Sequence, residues 1–202
     1  MKSKYRNRKN LILTDFDGVC GDWEWAFNVW MQEHGFEEIA GSKLNYDMSV
    51  RYGIPREQVV KLIRIFNESA AIGFLPAQRD AMYYVKRLHE EHGYKFHCIT
   101  SLSLDPNAQR LREMNIHKLF GDAFERIVCL DTGAHKDEVL EEYEGTGLWW
   151  IEDKWSNAEA GYKYGLRPIV LEHGHNMHEY HPEIIILKNW KQIYEHITGE
   201  KE

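Results

Sequence analysis

Two aspartates one residue apart, Asp15 and Asp17, close the apolar run Leu11-Ile12-Leu13-Thr14 and are followed at once by Gly18. An apolar run of this kind reads as a strand, which puts the acid pair at the rim of a sheet. Carboxylates held that close repel one another unless a cation or a proton offsets the charge. A hard divalent ion such as Mg²⁺ takes carboxylate and carbonyl oxygens and would do so. One aspartate is then free to attack phosphorus, and the other to exchange a proton with the leaving group. A strand-end turn carrying two hydrated acids is the competing interpretation, so residues elsewhere must decide.

Three later segments bear on that choice. Phe96-His97-Cys98-Ile99-Thr100-Ser101 is a second strand-like run, and it ends in hydroxyls that can donate to a phosphate oxygen. Lys136 follows a third run, Arg126–Leu130, and starts a helical segment. An ammonium there can neutralise charge developing on a nucleophile and on phosphoryl oxygens. Trp149-Trp150-Ile151-Glu152-Asp153 is a fourth run ending in acids, and Asp153 could supply a further metal ligand. Glu152 and Asn157 stand beside it as secondary candidates, Asn157 to orient waters on the metal. Asp22 reads as the cap of the helix that follows the acid pair.

These residues need a scaffold that brings them together. Near-continuous apolar runs at Leu11–Asp15, Phe96–Thr100, Arg126–Leu130, Leu148–Ile151 and Pro168–Leu171 alternate with helical segments. That alternation predicts an α/β fold, a doubly wound parallel sheet covered on both faces. Asp105-Pro106 opens one helix, expected to run through Met114. Pro76 opens another with the stripe Met82, Val85 and Leu88, and Ser156 caps a third that Gly165 ends. Between Gly21 and Phe74 no strand is evident, whereas Trp23, Phe27, Trp30 and Met31, then Val59, Leu62 and Phe66, recur at helical spacing. An insert directly after the first strand sits over the strand's carboxyl end, where open α/β sheets bind ligands. The expected organisation is a core of residues 1–20 and 75–202 with a helical cap of residues 21–74. Trp23, Trp25, Phe27 and Phe66 are candidates to stack on a substrate. The alternative is that most cap aromatics simply hold the cap together.

The composition narrows the function. A hydrophobic content of 43% supports a proper core, and a net charge of −7 argues against polymeric nucleic acid as a partner. No apolar run is long enough to span a membrane. The basic start (Lys2, Lys4, Arg6, Arg8, Lys9) lacks the apolar stretch of a signal peptide and reads as a frayed tail. Cys20, Cys98 and Cys129 are odd in number and widely spaced, as suits buried thiols in a reducing, cytoplasmic setting. His173, His175, His178 and His181 have loop-like spacing and read as surface histidines.

Taken in order, acid pair, hydroxyl, lysine and acid each fall at or just after a strand end. This arrangement resembles the haloacid dehalogenase superfamily over nearly the whole chain. The resemblance implies Asp15 as nucleophile and Asp17 as acid and base. It further implies that Thr100 binds phosphate, with Ser101 and Gly18 alongside, and that Lys136 steadies the charge. Mg²⁺ would sit on Asp15, Asp153 and the backbone carbonyl of Asp17. An acid at position 17 favours phosphate-ester hydrolysis over carbon–halogen cleavage. The segment Asp15-Phe16-Asp17-Gly18-Val19-Cys20-Gly21-Asp22 is also similar to the opening of the 5′(3′)-deoxyribonucleotidases. Tyr52-Gly53, Gly73-Phe74-Leu75-Pro76, Cys98-Ile99-Thr100-Ser101 and a late His-Asn segment before Trp190 extend that likeness. Two departures are Glu152-Asp153 in place of Asp-Asp and Ser101-Leu102 in place of Ser-Pro. The implied activity is Mg²⁺-dependent hydrolysis of (deoxy)nucleoside monophosphates through an aspartyl phosphate. The alternatives are a phosphatase for a sugar phosphate or another small metabolite, and a binding module without turnover. The expected partner is a small phosphorylated molecule, foremost a nucleotide; a homodimer is the self-association to test.

Overall fold

The structure, a computed structural model, describes residues 3–201. Six parallel strands form one sheet in the order β3-β2-β1-β4-β5-β6. They are β1 (Leu11–Thr14), β2 (Lys95–Ser101), β3 (Phe124–Leu130), β4 (Trp149–Glu152), β5 (Arg167–Leu171) and β6 (Ile185–Leu187). Every residue of β1 is buried, which is why that strand reads as continuously apolar and not alternating. The strand order reverses between β1 and β4, where Thr14 pairs with Ile151 and the Asp15 N–H donates to the Ile151 carbonyl. Asp15 and Glu152-Asp153 therefore leave the sheet side by side at its topological switch point, where such sheets bind ligands.

Helices cover both faces. On one face α4 (Ala81–Glu90), α5 (Pro106–Phe120) and α8 (Trp190–Thr198) pack around Ile12, Phe96 and Cys98. On the other, α6 (Asp137–Glu141) and the following Tyr143 close over Leu11, Leu13, Ile99 and Trp150. Helix α7 (Trp155–Lys163) also lies on that face and comes so close that a Cβ at Gly161 would strike the Trp150 ring. The stretch between β1 and α4 folds as α1 (Trp23–Glu33), α2 (Met48–Tyr52), α3 (Arg56–Asn67) and a 3-10 turn, Ala70–Phe74. Its Phe27, Met31 and Phe66 join the same apolar cluster as Phe16 and Ile72, so this helical unit is packed onto the core. Trp190 donates from Nε1 to the Val19 carbonyl at 2.8 Å, and Asp80 accepts from the backbone N–H groups of Trp190 and Lys191. Helix α8 is thus tied to the loop that follows β1.

Several sequence expectations need correction. Pro76 does not open a helix: residues 76–77 run extended beside Gly21-Asp22, and α4 starts at Ala81. Lys154, not Ser156, stands at the N-cap of α7. Helix α5 continues past Met114 to Phe120. The N-terminal segment from Ser3 is docked and not frayed. Tyr5 stacks on Tyr143 with centroids 4.5 Å apart, and Arg8 pairs with Glu125 at 2.8 Å; Lys2 lies outside the described residues. Among the described residues no helix is long and apolar enough to cross a membrane.

Candidate active site

The turn after β1 is built by its own backbone. The Cys20 and Gly21 N–H groups both donate to the Phe16 carbonyl, and the Gly18 N–H to the Gly21 carbonyl. Gly18 sits at φ +74°, and a Cβ there would run into Asp153 Oδ2. Glycine is therefore required twice over, for backbone conformation and for the close approach of Asp153. Its N–H is committed to the turn, so Gly18 makes room for Asp153 and does not present an amide to phosphate. The Gly18 carbonyl accepts from His173 Nε2 at 2.7 Å.

Asp15 is 8% exposed, and both of its oxygens are engaged. Oδ1 accepts from the Phe16 N–H at 2.7 Å and Oδ2 from Lys136 Nζ at 2.7 Å. Lys136, 1% exposed, also donates to Glu152 Oε1 at 2.7 Å. Glu152 is fully buried and accepts in addition from Asn157 Nδ2 and from the Asp153 and Lys154 backbone N–H groups. Burial pushes the Glu152 carboxyl up, but Lys136 and these donors outweigh it and hold the group below the ordinary carboxylate value. Asp15 goes the other way. Burial, helped by the charges of Glu152 and Asp17, raises it to about 7 despite Lys136. Asp153 is raised as well, by burial first and then by the charges of Glu152 and Asp15. Burial works against the Lys136 charge, yet the two carboxylates on either side raise its affinity for the proton overall.

One ligand oxygen from each of Asp15, Glu152 and Asp153 lies within 4.8 Å of the others. Three carboxyl groups face a single ammonium, so negative charge is in excess, and hard oxygen donors are what Mg²⁺ selects. The donor set fits that ion. Glu152 is already saturated by four donors, which leaves Asp15 and Asp153 to hold it. The Asp17 carboxylate does not join this cluster. It faces Arg112 of α5, whose Nη1 and Nη2 reach Oδ1 and Oδ2 at 2.7 and 3.1 Å.

These groups open onto a cavity of about 460 Å³. Asp15, Asp17, Gly18, Ser101, Lys136, Asp153 and Asn157 line its floor, and the helical unit supplies Trp23, Tyr46, Arg51, Arg56, Val59 and Ile63. Other expected residues lie elsewhere. Thr100 is fully buried on the opposite face of β2, with its hydroxyl 3.4 Å from Arg112 Nη1, because successive strand residues alternate faces and Ser101 takes the cavity side. Phe27 and Phe66 are fully buried, edge to face at 5.4 Å, and hold the helical unit together. Of the four candidate aromatics, Trp23 alone reaches the cavity, stacked on Phe27 and donating from Nε1 to Asn67 Oδ1. Trp25 is exposed. Asp22 caps α1 by accepting from the Trp25 N–H.

Of the four histidines expected at the surface, His178 is exposed and His173 and His175 are not. His173 and His175 line the cavity, their rings stacked 5.5 Å apart, with His175 Nε2 3.8 Å from Asp153 Oδ2. Burial lowers the proton affinity of both. Buried Asn176 bonds the Asp153 and Leu171 carbonyls and fixes this loop. Tyr46 packs on His175 at 4.9 Å, and Leu44 lies against Gly174 so closely that no Cβ would fit there. A side chain alternating in and out over two loop residues leaves no periodicity to detect. Arg112 was missed too, although a signal exists: it occupies the apolar stripe Ala108, Ile116 and Phe120 of α5.

No protein-family model matches the chain. It is similar to an uncharacterized 32.4 kDa protein of Enterobacteria phage T4, 30% identical over 138 residues, which is 65% of this chain and 49% of that protein. The chain spans about half the length of this curated relative. Among solved structures, a haloacid dehalogenase-like hydrolase, SP0104 of Streptococcus pneumoniae, superposes with TM-score 0.66 and 14% identity, over 94% of this chain and 99% of that one. A predicted phosphatase from Clostridium acetobutylicum gives 0.65 and 14%, over 95% and 99%. CbbY from Rhodobacter sphaeroides, solved in complex with phosphate, gives 0.57 and 19%, over 90% and 95%. At these identities the likeness is one of fold, and the chain has the parallel α/β fold of the haloacid dehalogenase-like hydrolases.

Proposed function

We propose that the protein is a Mg²⁺-dependent phosphomonoester hydrolase that works through an aspartyl phosphate on Asp15 and acts on (deoxy)nucleoside monophosphates. The observation that carries this reading is Lys136 bridging Asp15 and Glu152 beside Asp153, on the floor of one cavity at the sheet's switch point.

In the first step an Asp15 oxygen attacks phosphorus and the ester P–O bond breaks. The departing alkoxide takes the Asp17 proton. In the second step water attacks the aspartyl phosphate, gives its proton to Asp17, and Asp15 is regenerated. Splitting one hard displacement into two lowers the barrier. Lys136 holds Asp15 in place and offsets the charge on the phosphoryl oxygens, without reorganising because Glu152 already fixes it. Asp15 and Asp153 would hold a divalent ion, which would supply the remaining neutralisation of phosphoryl charge. Ser101, on the cavity side of β2, is the hydroxyl that can meet a phosphate oxygen, in place of Thr100.

The division into a core and a cap of residues 21–74 belongs to this reading: the helical unit supplies the upper cavity wall and selects the rest of the substrate. Trp23 and Tyr46 are the aromatic surfaces available to a base. The test is phosphate release from a panel of nucleoside monophosphates, sugar phosphates and aryl phosphates, with and without Mg²⁺. Mg²⁺-dependent release with nucleotides preferred is the expected result. Preference for sugar phosphates overturns the nucleotide assignment, and no release from any ester overturns the hydrolase.

A further inference from the structure

Arg112 is a fully buried cation in the middle of the apolar stripe of α5, on the side of β2 away from Lys136. Its guanidinium lies 4.4 Å from the centroid of the Phe16 ring. One Nη lies 2.7 Å from Asp17 Oδ1 as an ion pair and 3.4 Å from the Thr100 hydroxyl, the other donates to Asp17 Oδ2 at 3.1 Å, and neither Nε nor Asp17 Oδ1 has a hydrogen-bond partner. Taking a guanidinium out of water costs several kcal/mol, and one carboxylate with an unpartnered Nε is poor compensation. An apolar residue of similar length would serve the core at least as well. The guanidinium does what no apolar residue can: it holds the Asp17 carboxylate by one hydrogen bond to Oδ2 and a close ion pair at Oδ1, which restricts the orientation of the group.

From this we infer that Arg112 is the positioning residue for Asp17, aligning its carboxyl group from beneath the floor so that one oxygen meets the ester oxygen of the substrate. The inference rests on Asp17 being the acid of the proposed reaction. Arg112 itself does not line the cavity and touches no substrate. It acts through Asp17, and its Nη1 also lies 3.4 Å from the Thr100 hydroxyl.

The test compares Arg112→Met, Arg112→Lys and Asp17→Asn on phosphate esters of graded leaving-group ability. An aryl phosphate with a good leaving group needs little proton donation, whereas an alkyl phosphate needs it fully. With Asp17 misaligned, Arg112→Met should lose roughly a hundredfold more kcat on alkyl than on aryl esters, as expected for loss of a positioned general acid. KM should change little, and Arg112→Lys should fall between wild type and Arg112→Met. A role confined to packing would depress both ester classes in parallel, and that outcome overturns the inference.

A second readout needs no turnover. Arg112→Met strands the Asp17 carboxylate, so the Asp17→Asn/Arg112→Met double variant should melt at a higher temperature than Arg112→Met alone. If the two substitutions lower Tm additively, the residues are not coupled and Arg112 does not position Asp17. If they are coupled while Asp17→Asn treats both ester classes alike, Arg112 holds Asp17 but the acid role fails, and with it the catalytic part of the inference.

Discussion

In the proposed reaction Asp15 and Lys136 carry the chemistry, and each has an energetic signature. Asp15→Asn removes the nucleophile and should abolish phosphate release while the far-ultraviolet circular dichroism stays that of wild type; wild-type turnover in this variant would refute the assignment. Lys136→Met strands two buried carboxylates. It should lower the unfolding free energy by about 3–5 kcal/mol, the usual cost of breaking a buried pair, as read from chemical denaturation. The pH dependence follows from the sign of the Asp15 shift. Its folded value, raised to about 7 by burial foremost, lies above the unfolded value near 4. The stability this group contributes is fully present below about pH 4 and is lost as pH climbs through 7. Metal-free protein should therefore show a fall in Tm across that window, and Asp15→Asn should flatten it.

At the scale of elements, the sequence exposed what repeats and concealed what does not. Strands β1, β2, β4 and β5 are mostly buried, so they appear as near-continuous apolar runs, whereas edge strand β3 is only partly buried beyond Phe124. Strand β6 spans only Ile185–Leu187 at the sheet edge, too short for a pattern. Helix α8 was overlooked although Trp190, Ile193, Tyr194 and Ile197 recur at helical spacing, because its stripe follows a loop rich in histidine. Spacing could place Trp23, Phe27 and Phe66 on helices but not say which face each helix buries, and two of the three turned inward. That division is testable. Phe66→Ala should cost about 3–5 kcal/mol of stability, the range for truncating a buried phenylalanine. Tyr46→Ala, at a half-exposed position on the cavity rim, should leave Tm near wild type and raise KM for nucleotides in steady-state assays. Equal effects of both variants on Tm would contradict this account of the helical unit.

For the molecule as a whole, the acid cluster concentrates negative charge, and a cation bound there as proposed would offset it. Mg²⁺ that binds the native state alone should stabilise it by about 2.7 kcal/mol at a hundredfold excess over Kd. The rise in Tm should be larger at pH 8 than at pH 5, because the carboxyl groups of Asp15 and Asp153 must ionise to hold the ion. A rise independent of pH, measured by differential scanning calorimetry, would point to binding elsewhere.

The bond from Trp190 to the Val19 carbonyl spans 171 positions of the chain. Translation delivers β1 and its acid pair well before α8, so the loop behind them keeps an open flank until α8 emerges. A nascent chain arrested before Trp190 should already carry Asp15, Lys136 and Asp153 while lacking the brace behind the turn that follows Asp15. On the proposed function, phosphate release would begin only once α8 has docked, so that fragments ending before Trp190 stay silent.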